Sequence, residues 1–203
     1  EHINKKINNN YLFLERWGIP SLIKCKSNNL FSFPFESSFW RAMVYIDGTF
    51  SLDSLEDELM AFQTGIGLAK FHTLCSDLDI TKLENTIKDF HNTKYYLDQY
   101  IISIREYDSM RFDDTVNKRI QSLRGDLAIH ISYVESLCVS LKKHISCHDV
   151  IHGDPKLSNF LFDIQFKYVV SLIDLDTVSS GNLLIDLADC IRSICNVAGG
   201  NPK

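Results

Sequence analysis

The sequence predicts an α+β fold laid out in two parts, strands first and helices second, dividing near Ile46 and Asp47. Three observations predict it. The run Phe39–Ile46 is rich in aromatic and β-branched residues and stops at Asp47-Gly48, which reads as a strand closed by a turn. From Leu55 to Leu141 apolar residues recur at the 3.6-residue period of amphipathic helices. After His148 the pattern shortens again into two strand-like runs around a turn, followed by one helix. The expected domains are residues 1–46, a partial N-terminal part, and residues 47–203, a helical part carrying one small hairpin.

Each element has a local reason. Tyr11 to Trp17 suits a short helix that Gly18-Ile19-Pro20 would stop. Ser21 to Lys26 is a strand candidate, closed by the turn residues Ser27-Asn28-Asn29. With Phe39–Ile46 it would form part of an antiparallel sheet. Asp53 and Ser54 offer an N-cap to a helix with apolar positions at Leu59, Phe62, Ile66 and Ala69. Phe90-His91-Asn92-Thr93 reads as a loop before a further helix. Ile120, Leu123, Leu127, Ile131, Val134, Leu137 and Leu141 make one of the cleanest helical stripes in the chain. Val150-Ile151 then leads into a polar loop, Phe160-Leu161-Phe162 and Tyr168 to Ile173 read as strands, and Leu183 to Ser193 as the last helix.

Bulk properties narrow the function classes. The 203 residues are 45% hydrophobic and 23% charged, the balance of a soluble globular protein. A formal net charge of −5, with no basic run longer than Lys5-Lys6 or Lys142-Lys143, argues against nucleic acid as a partner. The apolar runs fall well short of the roughly 20 residues that span a bilayer, so no membrane partner is expected. Cysteines at 25, 75, 138, 147, 190 and 195 form no C-x-x-C pair and mostly sit in apolar runs. That pattern suits reduced, buried thiols of a cytoplasmic protein. No oligomeric state is predicted.

The chemistry concentrates between His152 and Asp176. Asp154 and Asn159 lie five residues apart in a loop just before a strand, and Asp174 stands at the end of the next strand. An antiparallel hairpin brings Asn159 and Asp174 together as a hard-oxygen pair of the kind Mg²⁺ prefers beside waters and phosphate oxygens. Asp154 can accept the proton of an attacking hydroxyl. Lys156 can neutralise charge on a transferring phosphoryl group, a reaction that needs chiefly positioning and charge stabilisation.

The pattern Asp-x-Lys-x-x-Asn from Asp154 to Asn159, followed by Ile173-Asp174, resembles the catalytic and metal loops of the protein-kinase superfamily. Gly153 in place of Arg, Ile173-Asp174-Leu175-Asp176 in place of Asp-Phe-Gly, and Ile185-Asp186-Leu187-Ala188-Asp189 resemble the aminoglycoside phosphotransferase and choline kinase group. Phe90 to Thr93, His152 to Asp163, and Ile173 to Val178 resemble its bacterial N-acetylhexosamine 1-kinase branch. The resemblance implies a protein-kinase-like two-lobed fold with an incomplete N-terminal lobe and a mostly helical C-terminal lobe. It implies ATP and Mg²⁺ as cofactors, and a small-molecule hydroxyl acceptor, a sugar of the N-acetylhexosamine kind foremost, as partner. Residue by residue, Asp154 would be the base, Lys156 would face the phosphates, and Asn159 and Asp174 would hold the metal, assisted by Asp176. Met43, Val44, Tyr45 and Ile46 match the hinge strand that binds adenine through its backbone. His152 and Asp186 would brace the loop.

Departures from the group's pattern are also plain. Ser179-Ser180-Gly181 stands where relatives have Met-Pro-Gly, and Asp186 to Asp189 reads Asp-Leu-Ala-Asp where they have Asp-Phe-Gly-Asp. No glycine-rich phosphate-covering loop is present, nor a clear strand lysine paired with a helix glutamate, for which Glu15 is the candidate. Glu1-His2-Ile3-Asn4 resembles the strand end before the group's first helix. Its closeness to Trp17, and a chain end directly after the last helix, read as part of a longer protein. Two other functions stay open on the residues alone: a two-metal hydrolase using His152, Asp154 and Asp174, and a pseudokinase-like binding module.

Overall fold

The computed structural model describes residues 2–9, 16–110, 112–144 and 149–196. The chain divides into two compact units, Glu1–Thr86 with Cys147–Lys203, and Ile87–Ser146. Helices and small sheets make up the fold, as the α+β expectation requires.

The first unit opens with helix α1 (His2–Asn9), where the sequence suggests a strand end. The reason lies in the spacing of Ile3 and Ile7. Four residues apart, they share one helix face, and both enter the core. On the same helix Lys6 Nζ donates to Asp77 at 2.6 Å and to the carbonyls of Leu74 and Thr73, while His2 Nε2 reaches Asp77 at 3.0 Å. The Lys6 ammonium thus adds a charged donor at the C-terminal carbonyls of the helix Glu58–Cys75, the negative end of its dipole. Of the expected Tyr11–Trp17 helix, residues 11–15, Glu15 included, lie outside the described residues. Arg16 and Trp17 are not helical, and Trp17 is buried.

The strand expectations need correction. Strand β1 is only Leu22–Ile23. The run Phe39–Ile46 is no single strand. Hairpin β2 (Phe33–Phe35) and β3 (Ser38–Trp40) pairs Phe33 with Trp40, whereas β4 (Ala42–Met43) pairs with β1, Met43 facing Leu22. Two partners on two different ribbons break the run at Arg41. All four short strands carry exposed side chains, Phe39 among the most exposed.

Strand β5 (Thr49–Phe50) precedes helix α2 (Glu58–Cys75), which begins later than Asp53 or Ser54 would allow. Asp57 caps it, its side chain accepting the Met60 N–H at 2.8 Å. The buried face is also not the expected one. Leu59 and Phe62 are exposed, while Met60, Thr64, Gly67, Leu68, Phe71 and Leu74 face inward. With apolar residues nearly all round, periodicity does not select a face; backbone approach does. A Cβ on Gly67 would lie 2.6 Å from Val169 Cγ1 and 3.2 Å from Phe160 Cδ1, so glycine lets α2 settle onto the sheet.

That sheet holds the core. It joins β5 to β7 (Phe160–Asp163) and β8 (Val169–Leu172), antiparallel throughout. Between them in sequence, β6 (Asp149–Ile151) pairs with β9 (Ser179–Gly181), and helix α5 (Leu183–Ile194) closes the described chain. Phe160, Phe162, Val169 and Leu172 pack against α2 as one apolar cluster. The expected hairpin and last helix are thus present.

The second unit is a helix pair, α3 (Thr93–Ser109) and α4 (Asp114–His144). Asn92 caps α3, its side chain accepting the Tyr95 N–H at 3.1 Å, so Phe90 to Asn92 is the expected loop. Tyr107 donates to Asn117 Oδ1 at 2.7 Å and its ring stacks on Phe112, fixing the turn between the helices. The expected long stripe lies on α4, yet Leu123 and Leu127 are exposed. Among the described residues no helix is long and apolar enough to cross a membrane. Of the thiols, Cys75 and Cys190 are buried as expected, Cys25 is half-buried and Cys195 exposed; the side chains of Cys138 and Cys147 lie outside the described residues.

Candidate active site

The loop between β6 and β7 is built around one buried carboxylate. Asp186, fully enclosed on the first turns of α5, accepts the His152 N–H on Oδ2 at 2.7 Å and the Gly153 N–H on Oδ1 at 2.8 Å. His72 Nε2, from α2, donates to the same Oδ2 at 2.7 Å. A buried carboxylate needs this many donors to offset its desolvation. His72 belongs to no sequence motif. Its only signal in the sequence is an imidazole set in an apolar helix.

His152 braces the loop from the other side. Its Nε2 lies 2.9 Å from the Ile173 carbonyl, which can only accept, so Nε2 carries the proton. Nδ1 is then free to accept the Asp154 N–H at 3.3 Å. Burial pushes this imidazole below its ordinary pKa, against the opposing pull of the Ile173 bond. A neutral, doubly bonded, fully buried ring holds backbone in place and is no metal ligand.

Gly153 takes φ +84°, and a Cβ there would sit 2.6 Å from the Thr177 carbonyl oxygen. Only glycine fits a left-handed turn under that contact. Thr177 Oγ1 in turn donates to the His152 carbonyl at 2.9 Å, tying the two loops together. Ser193 on α5 accepts the Leu157 N–H at 2.8 Å and secures the far end.

On this frame Asp154, Lys156 and Asn159 meet. Lys156 Nζ is 2.7 Å from Asp154 Oδ2, and this bond holds the ammonium above the usual lysine range. Asn159 Nδ2 donates to the Asp154 carbonyl at 2.9 Å. That assigns the amide nitrogen to Asp154 and turns the amide oxygen the other way. Across the hairpin the Ile173 N–H donates to the Asn159 carbonyl at 2.9 Å, setting Asp174 one residue beyond Asn159's partner. Asp174 itself adopts a left-handed conformation at φ 65°, uncommon outside glycine and frequent at functional positions. Asp176 lies two residues on in the 3-10 turn Leu175–Thr177, with its carboxylate on Arg41.

A divalent cation fits this donor set. Among the described residues no three His, Cys, Asp or Glu side chains gather into a metal cluster. A cation here would rest on the Asp174 carboxylate and the Asn159 amide oxygen, with non-protein oxygens completing the shell, as Mg²⁺ tolerates. The remaining sequence candidates, Met43, Val44, Tyr45 and Ile46, lie on and after β4. The Val44 N–H donates to the Ser21 carbonyl at 2.9 Å, the Ile46 carbonyl accepts from Thr49 Oγ1 at 2.7 Å, and the Met43 and Tyr45 side chains are exposed.

Solved structures define the class of fold. The GDP and kanamycin complex of APH(2")-IIIa matches with a TM-score of 0.51 at 14% identity, covering 88% of this chain and 56% of that one. An ethanolamine kinase of Plasmodium vivax matches with a TM-score of 0.50 at 19% identity, covering 94% and 50%. The GDP complex of wild-type aminoglycoside 2'-phosphotransferase-IIIa matches with a TM-score of 0.50 at 12% identity, covering 95% and 60%. At these identities the likeness speaks for a kinase-like fold alone, and the chain spans only half to three-fifths of those chains' lengths. The sequence pattern of the phosphotransferase enzyme family matches residues 33–202, and the chain belongs to that family.

Proposed function

We propose that the protein is an ATP- and Mg²⁺-dependent small-molecule kinase that transfers the γ-phosphoryl of ATP to a hydroxyl, foremost that of an N-acetylhexosamine or related sugar. One observation carries the reading: Asp154, Lys156 and Asn159 are hydrogen-bonded into one cluster, with Asp174 delivered beside them by the hairpin. Family membership supports it.

In this reading Asp154 accepts the proton of the attacking hydroxyl. Lys156, on its four-carbon stem and 43% exposed, leaves Asp154 for the transferring phosphoryl group. Asn159 and Asp174 hold Mg²⁺, whose chemistry is to neutralise charge between the phosphates. The backbone of Met43 to Ile46 takes the adenine. The sugar preference comes from the resemblance of residues 90–93, 152–163 and 173–178 to the N-acetylhexosamine branch. The kanamycin bound in one similar structure, and the ethanolamine kinase identity of another, keep aminoglycosides and amino alcohols on the acceptor panel. A cytoplasmic setting, which keeps thiols such as Cys75 and Cys190 reduced, belongs to the same reading. The hydrolase alternative loses His152 as a ligand, because both ring nitrogens are bonded.

The test uses the full-length protein with Mg-ATP and a panel of amino sugars, aminoglycosides and amino alcohols. Asp154→Ala is expected to lower turnover by about 10²–10⁴-fold while nucleotide affinity is kept. Undiminished turnover in that variant overturns the assignment.

A further inference from the structure

Asp176 is held at both ends. Its two carboxylate oxygens lie 2.5 and 2.6 Å from Arg41 Nη2, across 135 positions of sequence. Its backbone carbonyl accepts the Thr86 hydroxyl at 2.7 Å. Arg41 occupies the one-residue gap between β3 and β4, and Asp176 stands two residues past Asp174. A carboxylate with both oxygens turned to one guanidinium nitrogen is drawn to that side, and the arginine charge partly neutralises it and repels a cation.

We propose that Arg41 is a positioning residue that locks Asp176 away from the metal. The resting loop then presents one carboxylate, that of Asp174, and opening the pair presents a second. The proposal rests on the reading of Asn159 and Asp174 as Mg²⁺ ligands. The lock is releasable, since the two side chains are 47% and 55% exposed, and pairs that exposed are weak and screened by salt. It has a sequence position that gives it leverage, because Arg41 lies two residues before the proposed adenine-binding run Met43–Ile46. A shift of that run on nucleotide binding would reach Asp176 through this pair. The number of carboxylates available sets divalent-cation affinity in oxygen sites, so the lock regulates how tightly the cation is held.

Mn²⁺ serves as the probe, titrated by electron paramagnetic resonance into the full-length protein without nucleotide. Wild type, Arg41→Gln, Asp176→Asn and the double variant are compared, each checked for folding by thermal unfolding. Freed Asp176 is expected to tighten Mn²⁺ binding in Arg41→Gln on the order of tenfold. In the double variant that gain disappears, leaving affinity within about twofold of Asp176→Asn alone. Equal affinity in wild type and Arg41→Gln overturns the lock. So does a gain that survives in the double variant, which would report lost arginine charge rather than a released carboxylate. A separate arm, Asp174→Asn, tests the metal reading beneath: binding unchanged there overturns that reading, whatever Arg41 does.

Discussion

Asp186 Oδ2 accepts the backbone N–H of His152 at 2.7 Å, so helix α5 holds the His152–Asn159 loop by its main chain. The same carboxylate takes Gly153 N–H and His72 Nε2. Asp186→Ala would leave the buried His152 and Gly153 N–H groups, and the half-buried His72 Nε2, without this acceptor. Such losses cost about 3–5 kcal/mol when a buried charged partner is removed. Urea unfolding should show a destabilisation of that order, and Asp186→Asn a smaller one, because the amide keeps one acceptor oxygen. Equal stability of Asp186→Ala and wild type would mean the loop stands without this anchor.

Gly153 is the second fixed point. Gly153→Ala meets both a positive φ and the Thr177 carbonyl oxygen at 2.6 Å. The backbone must shift, at a cost of about 1–3 kcal/mol. Because the shift displaces Asp154, turnover should fall further than melting temperature alone explains. Parallel measurement of thermal unfolding and phosphotransfer checks this, and full activity in the variant would contradict it.

His152 predicts a pH effect on stability. Burial pushes its pKa below the ordinary 6.5, so in acid the unfolded chain takes up a proton that the folded ring refuses. Stability linked to this ring is level above about pH 6.5 and falls as pH drops toward the folded value, by no more than about 1.4 kcal/mol per pH unit. His152→Gln removes the titration. The stability difference between wild type and variant should therefore narrow from neutral to mildly acid pH in urea unfolding. A difference that stays constant would refute the linkage.

The thiols should separate by reactivity. Burial pushes Cys75 up to about 12 and Cys190 up to about 11. Hydrogen bonding from Ser27, foremost its side chain, holds Cys25 below its ordinary value. Brief alkylation of the native protein near neutral pH, read by peptide mass spectrometry, should modify Cys25 and spare Cys75 and Cys190. Labelling of the buried pair without prior unfolding would show that the α2–α5 region opens readily.

What the residues declared on their own was local. The spacing of Asp154, Lys156 and Asn159, and the hairpin that brings Asp174 round, follow from chain geometry over about twenty residues, and strand alternation carries that much. The long helix α4 was legible for the same reason, since its stripe repeats over many turns. The buried face of α2 was not, because a helix apolar on most sides leaves the choice to the closest backbone approach, which Gly67 permits. Nor was the division of residues 39–46 between two ribbons, which depends on what lies opposite each half.

The long-range contacts of the site were decided by tertiary structure alone. His72 meets Asp186 across 114 positions, and Arg41 meets Asp176 across 135. A histidine in an apolar helix and an arginine in a strand-like run look ordinary until folding brings a carboxylate to each. Sequence determines which groups can do the chemistry, because covalent spacing sets their local geometry. Only the fold decides which charges face one another, because long-range partners are chosen by the packing of elements that the chain itself does not place side by side.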